Sequence, residues 1–335
     1  MTLRVLQVGL GPIGLAVARQ LAERRGFELV GAVDLDPARL GQDLGTLLGR
    51  ATRGAAVTGD LDRALGDLSP DAAVVSTSSA LATVAPTLET CLAAGASVVS
   101  TTEELAFPWR ERPELARRLD GAARRAGRAI LGTGVNPGFA MDALPLFLTA
   151  PCERVEAITV RRVQDAARRR LPFQRKIGAG LTPEEFARRA AAGDIRHVGL
   201  AESMGMLAGA LGWRLDEISD AIEPRIAERA VASSELQVEA GQVCGVTQIG
   251  TGSEAGRVRV RLEFHAWLGA PASYDEVEVD GSPSVRSRIE GGIPGDLATA
   301  SIVVNAVPRV VAAPPGLITM RDLPPAYCWP GSSDP

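Results

Sequence analysis

The chain has 335 residues, 46% of them hydrophobic and 23% charged, which is enough for two domains with apolar cores of their own. A formal net charge of −4 provides no global field for nucleic acid or an anionic membrane, and no apolar run approaches the roughly 20 residues of a spanning helix. Four scattered cysteines without a CxxC pair and only two histidines argue against a zinc site, a disulfide framework and a multi-histidine catalytic scheme.

The chain enters its first strand without a basic region and apolar core of the secretory kind, so a cytoplasmic protein is the expectation. Arg4–Val8 reads as that strand, Gly11–Arg25 as a helix stopped by Gly26, and Glu28–Asp34 as the second strand. Ala72–Ser76, Ser97–Ser100 and Ala129–Gly132 read as further strands, with helical patterns around Val84–Ala94 and Glu114–Ala126. Strict alternation of this kind predicts an α/β Rossmann fold, a doubly wound parallel sheet with helices on both faces.

After "GTGVNPGFAMDALPLFL" the pattern changes. "VEAITVRRV", "SSELQVEAGQVCGVTQIG", "GRVRVRLEFHAWLG" and "SYDEVEVDGSPSVRSRIEG" alternate apolar and polar residues, which predicts a second α+β domain on a largely antiparallel sheet with one wet face. Helices are expected at Pro183–Ala192 and at Gly199–Leu211, the latter running into "DEISDAI". A last helix, roughly Asp296–Ala306, is expected to return to the first domain, ahead of a polar tail "PGSSDP". The predicted division is 1–135 plus about 295–335 for dinucleotide binding, and about 136–294 for substrate and dimerisation.

"VGLGPIG" places Gly9, Gly11 and Gly14 in GxGxxG spacing between a strand and a helix, with Pro12 and Ile13 opening that helix. The first glycine permits the tight turn, the second admits a pyrophosphate against the backbone, and the third lets helix and sheet pack closely. Asp34 ends the second strand about 20 residues on, where an acid binds the adenosine ribose. A carboxylate there repels a 2′-phosphate and favours NAD, and Asp36 either adds to it or only caps the following helix; Arg39 offers a phosphate contact and keeps NADP open.

Ligands of an open parallel sheet bind outside the carboxyl ends of its strands. "STSS" ends one strand, and Ser76, Thr77 and Ser78 either bond a nicotinamide ribose or cap the next helix. "STTEE" ends another: Glu103 and Glu104 are both candidates for a partly desolvated general base, and adjacent residues point apart, so one of them faces the crevice. Asn136 either bonds the nicotinamide carboxamide or is an ordinary turn residue ahead of Pro137. No residues suggest a metal site.

These residues resemble the dihydrodipicolinate reductase-like oxidoreductases, and within them the 2,4-diaminopentanoate dehydrogenases and related native amine dehydrogenases. The resemblance rests on "VGLGPIG", "TTEELAFP", "LGTGVNPGFAMDALP", "RRV", "RHVGLAESMGMLAGALGW" and "GDLATASIVVNAVPRVVAAPPGLITMRDLP". It implies an NAD(P)-dependent amine dehydrogenase, deaminating an amine such as 2,4-diaminopentanoate or aminating a ketone or aldehyde with ammonia. It also implies a glutamate at "TTEE" as acid–base residue, and a homodimer. The candidate substrate loop "TVRRVQDAARRR" lacks the histidines and lysine of dihydrodipicolinate reductases proper. Reduction of a cyclic dicarboxylate is thus a poor fit; reduction of a carbonyl or cyclic imine stands as the alternative enzyme reading, and a non-catalytic NAD(P) sensor as the alternative of another class.

Arg161, Arg162, His197 and Glu202 are candidates for a substrate carboxylate or second amine, each with a structural role as its alternative. Phe139, Met141, Met204 and Met206 either line an apolar substrate pocket or belong to the core. His265 is expected to be a sheet residue.

Overall fold

Residues 2–50 and 55–330 are described in a computed structural model; the polar tail beyond 330 lies outside them. The chain divides into two units, Met1–Phe139 with Pro294–Pro335, and Ala140–Ile293.

The first unit starts β1 (Leu3–Val8), α1 (Pro12–Glu23), β2 (Phe27–Val33), α2 (Leu44–Leu47) and α3 (Leu61–Leu68). It continues β3 (Ala72–Val75), α4 (Leu81–Ala93), β4 (Ser97–Ser100), α5 (Pro113–Ala126) and β5 (Ala129–Gly132). The short strands are wholly apolar or small and wholly buried, as strands covered on both faces must be. Helix α1 does not reach Arg25: it ends at an extended Arg24, and Gly26 makes the turn with φ +79°. Helix α5 carries its apolar residues on one side and stops at Gly127 in the left-handed conformation.

The second unit holds α6 (Ala143–Leu148), β6 (Arg154–Asp165), α7 (Leu171–Lys176), α8 (Pro183–Ala191), α9 (Leu200–Leu211) and β7 (Glu217–Ile226). Then come β8 (Val231–Ala232), β9 (Gln237–Val238), β10 (Val243–Glu254), β11 (Arg257–Trp267), β12 (Tyr274–Ser282) and β13 (Val285–Glu290). Its six-stranded sheet runs β13-β12-β6-β11-β10-β7, antiparallel throughout except for the parallel pair β6–β11. One face buries Val246, Phe264 and Ala266 against Phe186, Ile195 and Ile177. The other face carries charge.

"DEISDAI" corrects an expectation. Helix α9 ends at Gly212 with φ +74°, and the stretch enters β7 instead of prolonging the helix. Ile218, Ile222 and Ile226 recur every four residues, a spacing that puts them on one face of a helix and equally of a strand. β7 is an edge strand, mostly exposed on both faces, so no strict alternation marked it.

The chain returns to the first unit through α10 (Gly295–Val311) and β14 (Gly316–Ile318). The first sheet then reads β14-β5-β4-β3-β1-β2, every pair parallel. Strand order reverses between β1 and β3, so their carboxyl ends open a crevice of the kind where doubly wound sheets bind ligands.

Candidate active site

Each lobe of this crevice is set by a local rule. Gly9 leaves β1 with φ +86°, and its N–H donates to the Val33 carbonyl at 2.8 Å. A Cβ on Gly9 would meet the Ser76 carbonyl oxygen at 2.5 Å, and one on Gly14 would strike the Gly9 carbonyl. Both glycines are thus required by the protein's own packing. A Cβ on Gly11 would meet nothing within 4 Å, so its small size leaves space at the head of α1. That head has no side-chain cap, with Pro12 in the first turn beside Ile13. Uncapped N–H groups and the positive end of the helix dipole make it a fit for a pyrophosphate. Below the loop, buried Gln7 donates to the Gly9 carbonyl at 2.9 Å and stiffens the turn.

Asp34 sits at the end of β2. Its Oδ2 accepts from Leu10 N–H at 2.6 Å and its Oδ1 from Asp36 N–H at 2.8 Å, while Arg39 pairs with Oδ2 at 3.0 Å. Burial pushes its pKa up, but the amides of Asp36 and Leu10 and the Arg39 guanidinium outweigh burial and hold it below the usual value. Arg39 also approaches Asp36 at 3.7 Å. The acid that would take a ribose and the cation that would take a 2′-phosphate therefore touch.

At the end of β3 the Ser76 hydroxyl is buried without a hydrogen-bond partner, and Thr77 is exposed beside Gly9. Ser78 receives the Ala80 N–H at 3.2 Å. The serines do not cap α4. That role falls to Glu104, whose Oε2 accepts from Leu81 N–H at 2.8 Å. Arg112 donates to Glu104 Oε1 at 3.0 Å, so Glu104 is committed twice within the protein. Glu103 opens the 3-10 turn Glu103–Leu105, half-buried, and its carboxylate takes part in no hydrogen bond or ion pair among the described residues. Asn136, after β5, is buried, and Gly138 takes φ +119° against the Thr133 hydroxyl and the Gly134 backbone. One unit thus brings Gly9, Gly11, Gly14, Asp34, Ser76, Glu103 and Asn136 to the ends of β1 to β5. Phe139 closes this segment, half-buried.

The second unit separates the remaining candidates. Arg161 lies on the charged face, in reach of Glu263 at 3.2 Å, Glu276 at 3.1 Å and Glu278 at 3.0 Å. Arg162 points the other way and is buried, donating to Asp275 at 2.7 Å and to the Ile293 carbonyl at 2.7 Å. Burial pulls its pKa down, as it pushes that of Asp275 up. The two neighbours do opposite jobs, since successive strand residues face opposite ways. His197 stacks on Phe264 with centroids 4.7 Å apart, and burial and nearby cations push its pKa down to about 3. Glu202 is buried in the first turn of α9, next to Ser203, which donates to Asp142 at 2.8 Å. Met141, Met204 and Met206 are wholly buried core residues. His265 bonds Thr247 across the sheet at 3.1 Å, with Glu263 at 3.4 Å. Sequence reasoning missed Arg112, because a partner eight residues beyond Glu104 across a turn leaves no periodic trace. Lys176 lines a cavity with His197.

Among the described residues no cluster of three or more His, Cys, Asp or Glu could hold a metal, and no helix is long and apolar enough to cross a membrane. Residues 3–106 match the family model of the dihydrodipicolinate reductase N-terminus, and 139–334 that of the 2,4-diaminopentanoate dehydrogenase C-terminal domain. The 2,4-diaminopentanoate dehydrogenase of Acetoanaerobium sticklandii is 31% identical over 334 residues, covering 96% of this chain and 93% of that one. An amine dehydrogenase of Streptomyces virginiae is 24% identical, covering 94% of each. The solved amine dehydrogenase of Mycobacterium smegmatis superposes with a TM-score of 0.87 at 27% identity, over 99% of both chains.

Proposed function

The chain belongs to the 2,4-diaminopentanoate dehydrogenase family and is an oxidoreductase acting on CH–NH2 groups, and we propose that Glu103 is its acid–base residue. The observation that carries this is the contrast within the pair: Glu104 is spent on Leu81 and Arg112, and the Glu103 carboxylate, at the end of β4, has no partner among the described residues. In deamination Glu103 takes a proton from the water that attacks the iminium carbon; in the reverse direction it positions ammonia and returns that proton. A bound nicotinamide supplies hydride transfer at the same carbon. Around it, Gly9, Gly11, Pro12, Ile13 and Gly14 hold the pyrophosphate, Asp34 the adenosine ribose, Ser76, Thr77 and Ser78 the nicotinamide ribose, and Asn136 the carboxamide. The Asp34 carboxylate favours NAD, and Arg39 at 3.0 Å is the group through which NADP would be accepted.

The substrate is a small amine, 2,4-diaminopentanoate or a simpler relative, and the reverse reaction consumes ammonia. The working form is a homodimer in the cytoplasm. Four free cysteines support the location, and the charged sheet face opposite α9 supports the dimer, since alternating Arg and Glu can meet their opposites on a second copy. The test is NAD(P)H oxidation with a panel of ketones and aldehydes, including 2-amino-4-oxopentanoate, with and without ammonium at alkaline pH. Ammonium-dependent turnover is expected. Turnover without ammonium would instead mean carbonyl or cyclic-imine reduction, and cofactor binding without any turnover a sensor.

A further inference from the structure

Gly132, the buried last residue of β5, pairs with Ser100 at the end of β4. The 3-10 turn that carries Glu103 follows Ser100 and folds back over Gly132. A Cβ built on Gly132 would lie 2.5 Å from the Leu105 carbonyl carbon, 2.7 Å from the Ala106 nitrogen and 2.7 Å from the Leu105 Cβ. None of these atoms is the end of a flexible side chain, so no rotamer change relieves the contact. Gly132 is also absent from the residues with positive φ, so its backbone is open to any residue type. What the position requires is space.

The two partners in this contact are held differently. β5 is paired on both edges, to β4 and to β14, and Thr133 N–H adds a bond to the Ser100 carbonyl at 2.8 Å. The turn belongs to no sheet ladder. Leu105 N–H donates to the Thr102 carbonyl and Ala106 N–H to the Glu103 carbonyl, each at 3.1 Å. A side chain at position 132 therefore moves the turn before it moves β5. Relief to an ordinary contact of 3.4 Å shifts the turn by roughly 1 Å, and the bond from Ala106 passes that shift to Glu103. We propose that Gly132 is a positioning residue for Glu103: its missing side chain sets how closely the turn seats on the end of β5, and so where the carboxylate stands. The proposal rests on the acid–base role of Glu103.

The test compares Gly132→Ala, Glu103→Gln and the double variant, using ammonium-dependent turnover of the best carbonyl compound found above and NADH affinity by fluorescence titration. Gly132→Ala is expected to lose about a hundredfold in kcat, as a 1 Å misplacement does, with NADH affinity within about twofold. Added to Glu103→Gln, the same change is expected to cost less than about threefold, because the group it misplaces is already gone. Gly31→Ala on β2, whose Cβ would meet the Leu68 side chain at 2.7 Å, crowds the same unit away from the turn and is expected to keep kcat. Glu103→Asp tests the same point without touching the packing: it withdraws the carboxylate by about 1.5 Å and is expected to lose more than about tenfold. A loss below tenfold in Glu103→Asp or in Gly132→Ala, or an equal loss from Gly132→Ala with and without the Glu103 carboxylate, would overturn the inference alone. Full turnover by Glu103→Gln would overturn the acid–base reading, and the inference with it.

Discussion

Glu103→Gln and Glu104→Gln should fail in opposite ways. The Glu103 carboxylate makes no bond among the described residues, so its loss should leave stability within about 0.5 kcal/mol. Removing a general base costs about 10²–10⁴ in rate, or roughly 3–5 kcal/mol of barrier, and kcat should fall by that factor with cofactor affinity unchanged. Glu104→Gln keeps a side-chain carbonyl for Leu81 N–H but loses its charge. Arg112 is 48% exposed, so the lost ion pair is worth about 0–1 kcal/mol, and the lost anion at the head of α4 about 0.3–1 kcal/mol. The sum, about 1 kcal/mol, should lower Tm by a few degrees and leave turnover within several-fold. The assay is steady-state deamination with each variant, paired with thermal melts. If Glu104→Gln loses more than about a hundredfold in kcat while Glu103→Gln keeps most of it, the roles are reversed and the reasoning from carboxylate commitment is wrong.

Gly11→Ala should leave the melting temperature in place, because its Cβ meets nothing, yet weaken dinucleotide binding in a fluorescence titration. Gly9→Ala, at φ +86° and against the Ser76 carbonyl, should instead cost about 1–3 kcal/mol of stability. Asp34→Ser releases Arg39 and should move the ratio of kcat/KM toward NADP. Because the folded pKa of Asp34 lies below its ordinary 3.8, its stabilising effect is full above that pH and is lost as pH falls through the lowered value. Asp34→Asn should therefore flatten the acid limb of the stability curve below pH 3.8. Arg162→Met leaves Asp275 buried and unpaired and should cost about 3–5 kcal/mol in chemical denaturation, much of it restored by adding Asp275→Leu; a loss under 1 kcal/mol would show the pair to be hydrated.

Most of the first sheet was legible in the sequence. Its strands are uniformly apolar runs between helices with clear stops, and burial on both faces leaves that composition little freedom. Short elements escaped: β14 is three residues long, and α3 begins with an Asp60 cap that reads equally well as a loop. The parallel pairing of β6 with β11 was illegible, since alternation records which face is wet and not the direction of the neighbour. In the site, glycine spacing and Asp34 were readable because backbone geometry and ribose chemistry restrict those positions to few residue types. The choice between Glu103 and Glu104 was not, because it depends on partners 23 and 8 residues from Glu104.

Those partners also explain why two acids stand side by side. Glu104 ties the β4 end to the head of α4 through Leu81, and its N–H reaches the Ser79 carbonyl at 3.3 Å. Thr102 adds a bond to the Ser78 carbonyl at 2.8 Å, and Ser100 bonds both Thr102, at 2.9 Å, and the Val75 carbonyl, at 3.0 Å. The loop after β3 and the turn after β4 are therefore laced into one piece. A catalytic group displaced by 1 Å can lose about a hundredfold in rate, so a carboxylate on an untied turn would be a poor base. Glu104 surrenders its own chemistry to hold the turn, and the adjacent Glu103 is left with a fixed origin and a free carboxylate. The division predicts a signature for Thr102→Val, which cuts one lace without touching Glu103: kcat should fall while the affinity for the pyrophosphate end of the cofactor, held by Gly9 to Gly14, stays constant. Equal loss of both would mean that the Thr102 bond supports the pyrophosphate loop as much as the base, against that division.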